Sequence, residues 1–268
     1  MLILAFTQLC TRLFIIGPRK SYSTILLEPE IYYLIISTML VAAAGYIIND
    51  YYDIKIDMIN KPKRVVLGKT INRRIGLLMH LLLNTIAIGI SFFFLSFNVS
   101  LFIITCQFLL WIYSNYFKRT PFIGNILISL LAFASLFIIG LFYKDQMNKI
   151  IFFGIFAFIT NLIREIIKDT EDIEGDKTYG SNTLPILIGV KKTKNVLYAL
   201  IFIEVSLLIY SYWLINNLLF GFLTAFVIIP FLYISYLTFK ADNPGDFSRL
   251  SAITKVIMVF GIMSMVLI

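Results

Sequence analysis

Residues 31–57 read IYYLIISTMLVAAAGYIINDYYDIKID, an apolar run that ends in three aspartates, Asp50, Asp53 and Asp57. The apolar part matches a membrane-spanning helix, which needs about 20 predominantly apolar residues. The aspartates are spaced i, i+3 and i+7, so on a helix they fall within an arc of roughly 60°. This stretch therefore predicts a spanning helix whose end aims three carboxylates in one direction.

A second stretch repeats this spacing 119 residues later, where Asp169, Asp172 and Asp176 follow another apolar run. The chain has only 15 acidic residues, and nine of them lie in these two stretches. If the two helix ends face each other, up to six carboxylates converge, and cations must lie between them because like charges repel. The constant offset also suggests that the two helices are equivalent parts of an old duplication.

The remainder of the chain has the composition of a polytopic membrane protein. Hydrophobic residues make up 59% of it and the mean hydropathy is +0.89, against roughly 45–50% apolar residues in soluble domains. We therefore expect an all-α fold with nine transmembrane helices in a single domain over residues 1–268, which excludes a cytosolic enzyme, a secreted disulfide scaffold and a membrane β-barrel. The nine apolar runs are 2–17, 31–48, 75–97, 99–117, 121–143, 149–167, 195–214, 217–239 and 250–268.

The net charge of +8 reflects membrane orientation rather than a nucleic-acid partner. Of the 23 Lys and Arg residues, 17 lie in the connections after even-numbered runs and four in those after odd-numbered runs. By the positive-inside rule, the N-terminus and both acidic segments, about 49–74 and 164–194, are cytoplasmic and the C-terminus is outside. No signal peptide precedes the first run, so we expect that span to be retained.

The residue types near the acids favour one metal. Cys10 and Cys106 lie within apolar runs, and His80 is the single histidine, which leaves hard oxygen ligands and therefore magnesium. Lys118, Lys168 and the Lys61–Arg64 segment could hold a diphosphate beside that metal. The alternative for each cluster is a solvated helix end that carries acids for solubility, with the basic residues only marking the cytoplasmic side.

Three motifs resemble the UbiA superfamily of intramembrane prenyltransferases. Residues 49–57, NDYYDIKID, are similar to its NDxxDxxxD signature, and Asn60-Lys61-Pro62 and Arg64 follow as in the family. The segment 169–176, with Gly180 and 183–185 (TLP), resembles the second aspartate motif. Tyr113-Ser114 and Lys118 are similar to the tyrosine–lysine element at the end of the family's fourth helix.

The resemblance implies a nine-helix bundle around a lipid-accessible cavity. It implies an enzyme that uses Mg²⁺ to bind a prenyl diphosphate and transfers the isoprenyl group to a membrane-associated acceptor, with release of diphosphate. The implied metal ligands are Asn49, Asp50, Asp53, Asp57, Asp169, Asp172 and Asp176, and the catalytic candidates among them are Asp53, Asp57, Asp169 and Asp176. The implied diphosphate contacts are Arg64, Lys118, Lys168 and Tyr113.

The motifs specify the type of reaction more closely than they specify the acceptor. The stretch 164–176 most resembles the branch of the family that builds ether lipids, which predicts geranylgeranyl diphosphate as donor and geranylgeranylglyceryl phosphate as acceptor. The alternative is an aromatic prenyltransferase of quinone synthesis, and a cation-coupled transporter is the rival from a different class. Arg12 and Glu204 lie within predicted spans, and such charges usually face a cavity.

Overall fold

The protein is represented by a computed structural model that describes residues 1–17, 21–63, 65–215 and 218–267. Over these ranges the regular structure is helical, apart from an isolated bridge between Leu67 and Ile71. The expected all-α fold is therefore confirmed. The helices are α1 Leu2–Cys10 with a π-helical continuation Thr11–Ile16, α2 Tyr22–Leu26, α3 Pro29–Asn60, α4 Arg73–Phe94, α5 Phe97–Asn115, a 3-10 turn Phe117–Arg119, α6 Ile123–Tyr143, α7 Met147–Glu171, α8 Ile173–Thr178, α9 Leu184–Ile188, α10 Val190–Ile215, α11 Leu218–Lys240, α12 Pro244–Met263 and a final 3-10 turn Ser264–Leu267.

Among the described residues, seven helices are long and apolar enough to cross a membrane: α3, α4, α5, α6, α7, α10 and α12. Two shorter apolar helices, Leu2–Ile16 and Thr224–Lys240, account for the first and eighth apolar runs. Each of the nine predicted runs thus falls on a helix. The number of complete spans, nine, stays a prediction.

Helix α3 is longer than the predicted span, because it continues through the first aspartate stretch. Its 32 residues correspond to about 48 Å at 1.5 Å per residue, against about 30 Å for the hydrocarbon core. The spacing of Asp50, Asp53 and Asp57 placed them on a helix end beyond the apolar run, and residues 49–60, which contain no Gly or Pro, are helical. The helix ends where Pro62 disfavours a helical Lys61, whose φ is −143°.

The second aspartate stretch does not lie on one continuous helix, contrary to the prediction from its spacing. Helix α7 ends at Glu171, and α8 begins at Ile173. Asp172 joins them with φ −96° and ψ 10°, outside regular helical geometry. Asp169 and Asp176 therefore lie on different helices, and the same sequence spacing gives two different local structures.

Three apolar clusters hold the bundle together. One joins α3, α4, α5 and α6, and another joins α7 with α9, α10, α11 and α12. The third packs α1 and its π-helical continuation against α6, α7 and the end of α12. Helix α6 contributes to the first and third clusters, and α7 contributes to the second and third. These two helices therefore link the two halves of the bundle.

The connection from α5 to α6 is short and closely packed. Lys118 lies in its 3-10 turn, and Gly124 in the first turn of α6 lies directly against that turn. A Cβ atom on Gly124 would lie 2.4 Å from the backbone oxygen of Phe117. Only glycine allows the two backbones to approach this closely, so Gly124 fixes the position of the Lys118 turn.

We expect Gly124→Ala to destabilise the protein by about 1–3 kcal/mol, because the added methyl group overlaps backbone rather than a flexible side chain. Thermal unfolding in detergent measures the loss. The matched control is Gly89→Ala in α4, where a Cβ would meet nothing within 4 Å. A Gly124→Ala variant as stable as Gly89→Ala would show that the turn can shift freely.

Candidate active site

The first aspartate stretch is held by a lysine from the α5–α6 connection. Lys118 Nζ donates hydrogen bonds to Asp53 Oδ2 and, at 3.2 Å, to Asn49 Oδ1. Asp53 is 2% exposed, Asp57 is half-buried and Asp50 is exposed. The three carboxylates therefore lie on helix α3 as predicted, but they differ in their access to solvent.

Burial alone would lower the pKa of Lys118, but the Asp53 carboxylate outweighs it and raises the Lys118 pKa above its usual range. The lysine is therefore charged and neutralises a carboxylate that is otherwise shielded from water. A buried carboxylate without such a partner would be costly, because desolvation disfavours the charged form.

The second stretch is attached to the end of α3 by two residues. Asn60 Nδ2 donates to the backbone oxygen of Asp172 at 3.0 Å, and Asn60 Oδ1 accepts from the Gly175 backbone N–H at 2.9 Å. Lys61 Nζ lies 2.7 Å from Asp172 Oδ2. A Cβ on Gly175 would come within 2.5 Å of the Asn60 side chain. The conformation around Asp172 and a glycine at 175 thus bring the two aspartate stretches together.

The two outer acids of the second stretch have different surroundings. Asn125 Nδ2 on α6 donates to Asp169 Oδ2 at 2.7 Å, and no feature of the sequence pointed to this partner. Asp176 is 7% exposed. Burial raises the pKa of Asp176 to about 6; Asp172 and Asp53 add to the rise, while Lys118 and Lys61 offset part of it.

The carboxylates meet at one end of the bundle but do not form a single cluster. Within the described ranges, no three Asp, Glu, His or Cys side chains are close enough to hold a metal ion together. Asp53 and Asp172 are each paired with a lysine, which supplies the positive charge that their convergence requires. The donor set is nevertheless made of carboxylate and amide oxygens, the ligands that Mg²⁺ prefers.

A cavity of 780 Å³ begins at this end of the bundle and continues between the helices. Asn49, Tyr113 and Lys118 line its charged end. The aspartates of the two stretches are not among its lining residues, and Lys118, through its contact with Asp53, joins the cavity to them. The other walls are largely apolar and come from α1, α3, α5, α6, α7 and α12; they include Val41, Phe102, Leu110, Leu131, Phe153 and Met258. The site therefore combines a charged end with an apolar interior.

Basic side chains dominate the charged lining. Lys118, Arg164, Lys168 and Lys255 line the cavity, whereas Glu165 is the one acidic lining residue among the parts of the chain described. Sequence reasoning gave no role to Arg164 or Lys255. Two features of the sequence could have indicated that these residues line a cavity: Arg164 and Lys168 are spaced to lie on one helical face, and Lys255 is a charge within an apolar run.

The other predicted residues fall into three groups. Tyr113 is 9% exposed and lines the cavity as expected. Arg64 lies outside the described residues. Arg12 and Glu204, expected to face a cavity, line neither of the cavities found: Arg12 pairs with Glu28 and stacks on Tyr143, and Glu204 accepts from Thr160 Oγ1 at 3.2 Å.

Comparisons with known proteins agree with this architecture. Residues 22–258 match the model of the UbiA prenyltransferase family. The digeranylgeranylglyceryl phosphate synthase of Korarchaeum cryptofilum is 35% identical over 231 residues, which are 85% of this chain and 82% of the relative.

Solved structures show the same fold. A structure of digeranylgeranylglyceryl phosphate synthase in membranes superposes with a TM-score of 0.73 at 25% identity, covering 99% of this chain and 91% of the other. A UbiA homologue from Archaeoglobus fulgidus bound to DMAPP and Mg²⁺ gives a TM-score of 0.67 at 17% identity, covering 100% and 96% of the two chains. The chain therefore belongs to the UbiA prenyltransferase family and is an integral membrane prenyltransferase.

Proposed function

We propose that the protein transfers the geranylgeranyl group of geranylgeranyl diphosphate to a hydroxyl of geranylgeranylglyceryl phosphate and releases diphosphate. The observation that carries this proposal is the cavity, which joins a charged end beside Asp53 and Lys118 to a long apolar interior. Its 780 Å³ lies within the range of about 300–1,000 Å³ typical of ligand sites. A lipid with an anionic head and an isoprenoid tail matches both parts.

The choice of acceptor rests on the relatives. The Korarchaeum cryptofilum relative is a digeranylgeranylglyceryl phosphate synthase, and its similarity extends over most of both chains. The stretch 164–176 resembles the same branch of the family. An aromatic acid as acceptor is the alternative that the experiment below separates.

The oxygen ligands at the charged end fit Mg²⁺. Asn49, Asp53, Asp57, Asp169 and Asp176 would hold it, and the second choices are Asp50 and Asp172, the latter paired with Lys61. Bound there, Mg²⁺ neutralises part of the negative charge that develops on the leaving diphosphate. The Archaeoglobus fulgidus homologue, which shares the fold, was solved with DMAPP and Mg²⁺.

The chain's own residues then bind and orient the substrates. Lys118 and Lys168, together with Arg64 and Tyr113, would contact the diphosphate and favour its departure. The allylic C–O bond breaks and its electron pair leaves with the diphosphate, the acceptor hydroxyl oxygen forms a bond to the same carbon, and the hydroxyl proton passes to the released diphosphate. The apolar walls exclude water from the allylic carbon, so the acceptor rather than water captures it.

We also propose that the aspartate end of the bundle faces the cytoplasm. The excess of Lys and Arg in the connections at that end supports this orientation. A water-soluble diphosphate product would then be released on the cytoplasmic side, while both lipid substrates enter from the bilayer.

The experiment is an assay of the purified protein with Mg²⁺ and geranylgeranyl diphosphate, with geranylgeranylglyceryl phosphate and 4-hydroxybenzoate offered in separate reactions. We expect mass spectrometry to show the ether lipid alone. Asp53→Asn should lower kcat/KM about 100-fold or more, because it removes one of the carboxylates proposed to hold Mg²⁺. Asp242→Asn, an exposed acid away from the site, is the matched control.

An aromatic product without the ether lipid would contradict the proposed acceptor and keep the family. Equal activity of Asp53→Asn and Asp242→Asn would contradict the assignment of the aspartate end as the reaction site.

We expect the apparent affinity for Mg²⁺ to fall as the pH decreases through about 6. The pKa of Asp176 is about 6, so the carboxyl is protonated below that pH, and a cation must displace the proton in order to bind. Titration of Mg²⁺-induced thermal stabilisation between pH 5 and 7.5 measures the effect.

Glu174→Gln is the control for this titration, because Glu174 is an exposed acid two residues away. It should keep the pH dependence, whereas Asp176→Asn should flatten it. A wild-type protein whose Mg²⁺ affinity stays constant down to pH 5 would show that Asp176 is not a ligand.

A further inference from the structure

Arg164 is the cavity residue that lacks a role in the reaction described above. It lies on α7, four residues before Lys168, so it is about 6 Å further from the aspartate end. Its side chain is 20% exposed and lines the cavity. A half-buried guanidinium in the interior of a spanning helix is unusual, and such groups generally serve a ligand or a cavity.

The hydrogen bonds of Arg164 leave one edge of the guanidinium available. Its Nη1 donates to Glu165 Oε1 at 2.6 Å, while its Nε is buried without a hydrogen-bond partner. Buried donors in native proteins are normally paired, so an unpaired one points to a missing ligand. Turning the Nε edge toward the cavity would break no hydrogen bond at that nitrogen.

Glu165 orients Arg164 but does not cancel the local charge. It is 6% exposed, and its other oxygen accepts from Lys168 Nζ at 3.3 Å. One carboxylate is thus shared between two cations, Arg164 and Lys168, and it cannot balance the charge of both. An anion in the cavity would complete the neutralisation.

Lys255 adds a second cation at the same depth. Helices α7 and α12 are antiparallel, since a Cβ on Gly261 would meet Phe156 at 2.2 Å and Met265 packs in one cluster with Phe153. Lys255 lies six residues before Gly261 on α12. In the antiparallel pair it is therefore level with residue 162, which lies six residues after Phe156 on α7. Lys255 and Arg164 both line the cavity.

We propose that Arg164 and Lys255 bind the phosphate of the acceptor lipid, at a site separate from the diphosphate site at Lys118 and the aspartates. The inference rests on the proposed function, because it assigns a residue pair to the phosphate of geranylgeranylglyceryl phosphate. A phosphate monoester carries about −1.5 to −2 charges near neutral pH. The planar fork of arginine suits two phosphate oxygens, and a nearby lysine supplies the remaining charge.

The separation of the two sites has a chemical reason. The diphosphate must depart after transfer, whereas the acceptor phosphate stays on the product. Distinct cations for each group allow one anion to be released while the other remains bound. Lys168, which shares Glu165 with Arg164, lies between the two sites on α7.

The test compares Arg164→Gln with the wild-type protein in steady-state kinetics. We expect the KM for geranylgeranylglyceryl phosphate to rise about tenfold or more, because a charged contact to its phosphate is lost. The KM for geranylgeranyl diphosphate should change less than threefold, and so should the KM for geranylgeranylglycerol, which lacks the phosphate. Arg164→Lys should recover part of the loss, and Lys255→Met should reproduce it.

A binding measurement supplies a readout that does not depend on turnover. Geranylgeranylglyceryl phosphate, added in EDTA without donor, should raise the melting temperature of the wild-type protein and not that of Arg164→Gln. Lys192→Gln removes one exposed positive charge on α10 and is the matched control, which should behave as the wild type in both measurements.

The outcomes separate this inference from the proposed function. A wild-type protein that does not prenylate geranylgeranylglyceryl phosphate overturns both. Normal use of that acceptor with an unchanged KM in Arg164→Gln and Lys255→Met overturns only the phosphate site. A rise confined to the KM for geranylgeranyl diphosphate would place Arg164 at the diphosphate site and would also overturn the proposed phosphate site. Should Arg164→Gln fail to fold, Arg164→Lys and Lys255→Met carry the test.

Discussion

The ion pair between Asp53 and Lys118 is the interaction on which the rest of the site depends. Asp53 is 2% exposed, so its charge can persist only beside a cation. The partner comes from the α5–α6 connection, which forces that connection to lie against α3. The close approach at Gly124, the pairing of Lys61 with Asp172 and the contact of Asn60 with Gly175 assemble the same end of the bundle.

The two lysines, Lys118 and Lys61, also allow the aspartate helices to pack together. Each neutralises one carboxylate, that of Asp53 or of Asp172. If Mg²⁺ were held by these carboxylates, as proposed above, the ammonium groups would be available for a phosphate oxygen. An ammonium group is well suited to this exchange because it is a compact charge on a flexible chain. The same lysine can thus stabilise the fold and then contact the substrate.

The sequence predicted the helices and both aspartate stretches, because continuous apolar runs and acids in an acid-poor chain are strong local signals. It also predicted that Asp50, Asp53 and Asp57 lie on the end of a helix, but it did not predict the break at Asp172. The i, i+3, i+7 spacing is identical in both stretches, whereas the contacts with Asn60 and Lys61 occur at the break alone. Asn125 was missed for a similar reason, because its contact with Asp169 arises from helix packing, which the spacing of residues along the chain does not encode.

The distribution of charge in the cavity suits the proposed reaction between two anionic lipids. The reacting carbon and the hydroxyl of the proposed acceptor would have to meet, which would bring a diphosphate and a phosphate into one cavity. Two unit charges about 4 Å apart repel by roughly 4 kcal/mol at an effective dielectric constant of 20, and these groups carry more than one charge each. Four basic residues line the cavity against one acid in the described chain, and their spread over the α5–α6 connection, α7 and α12 would keep the two anions apart. A single cluster of cations would bind one phosphate well and exclude the other.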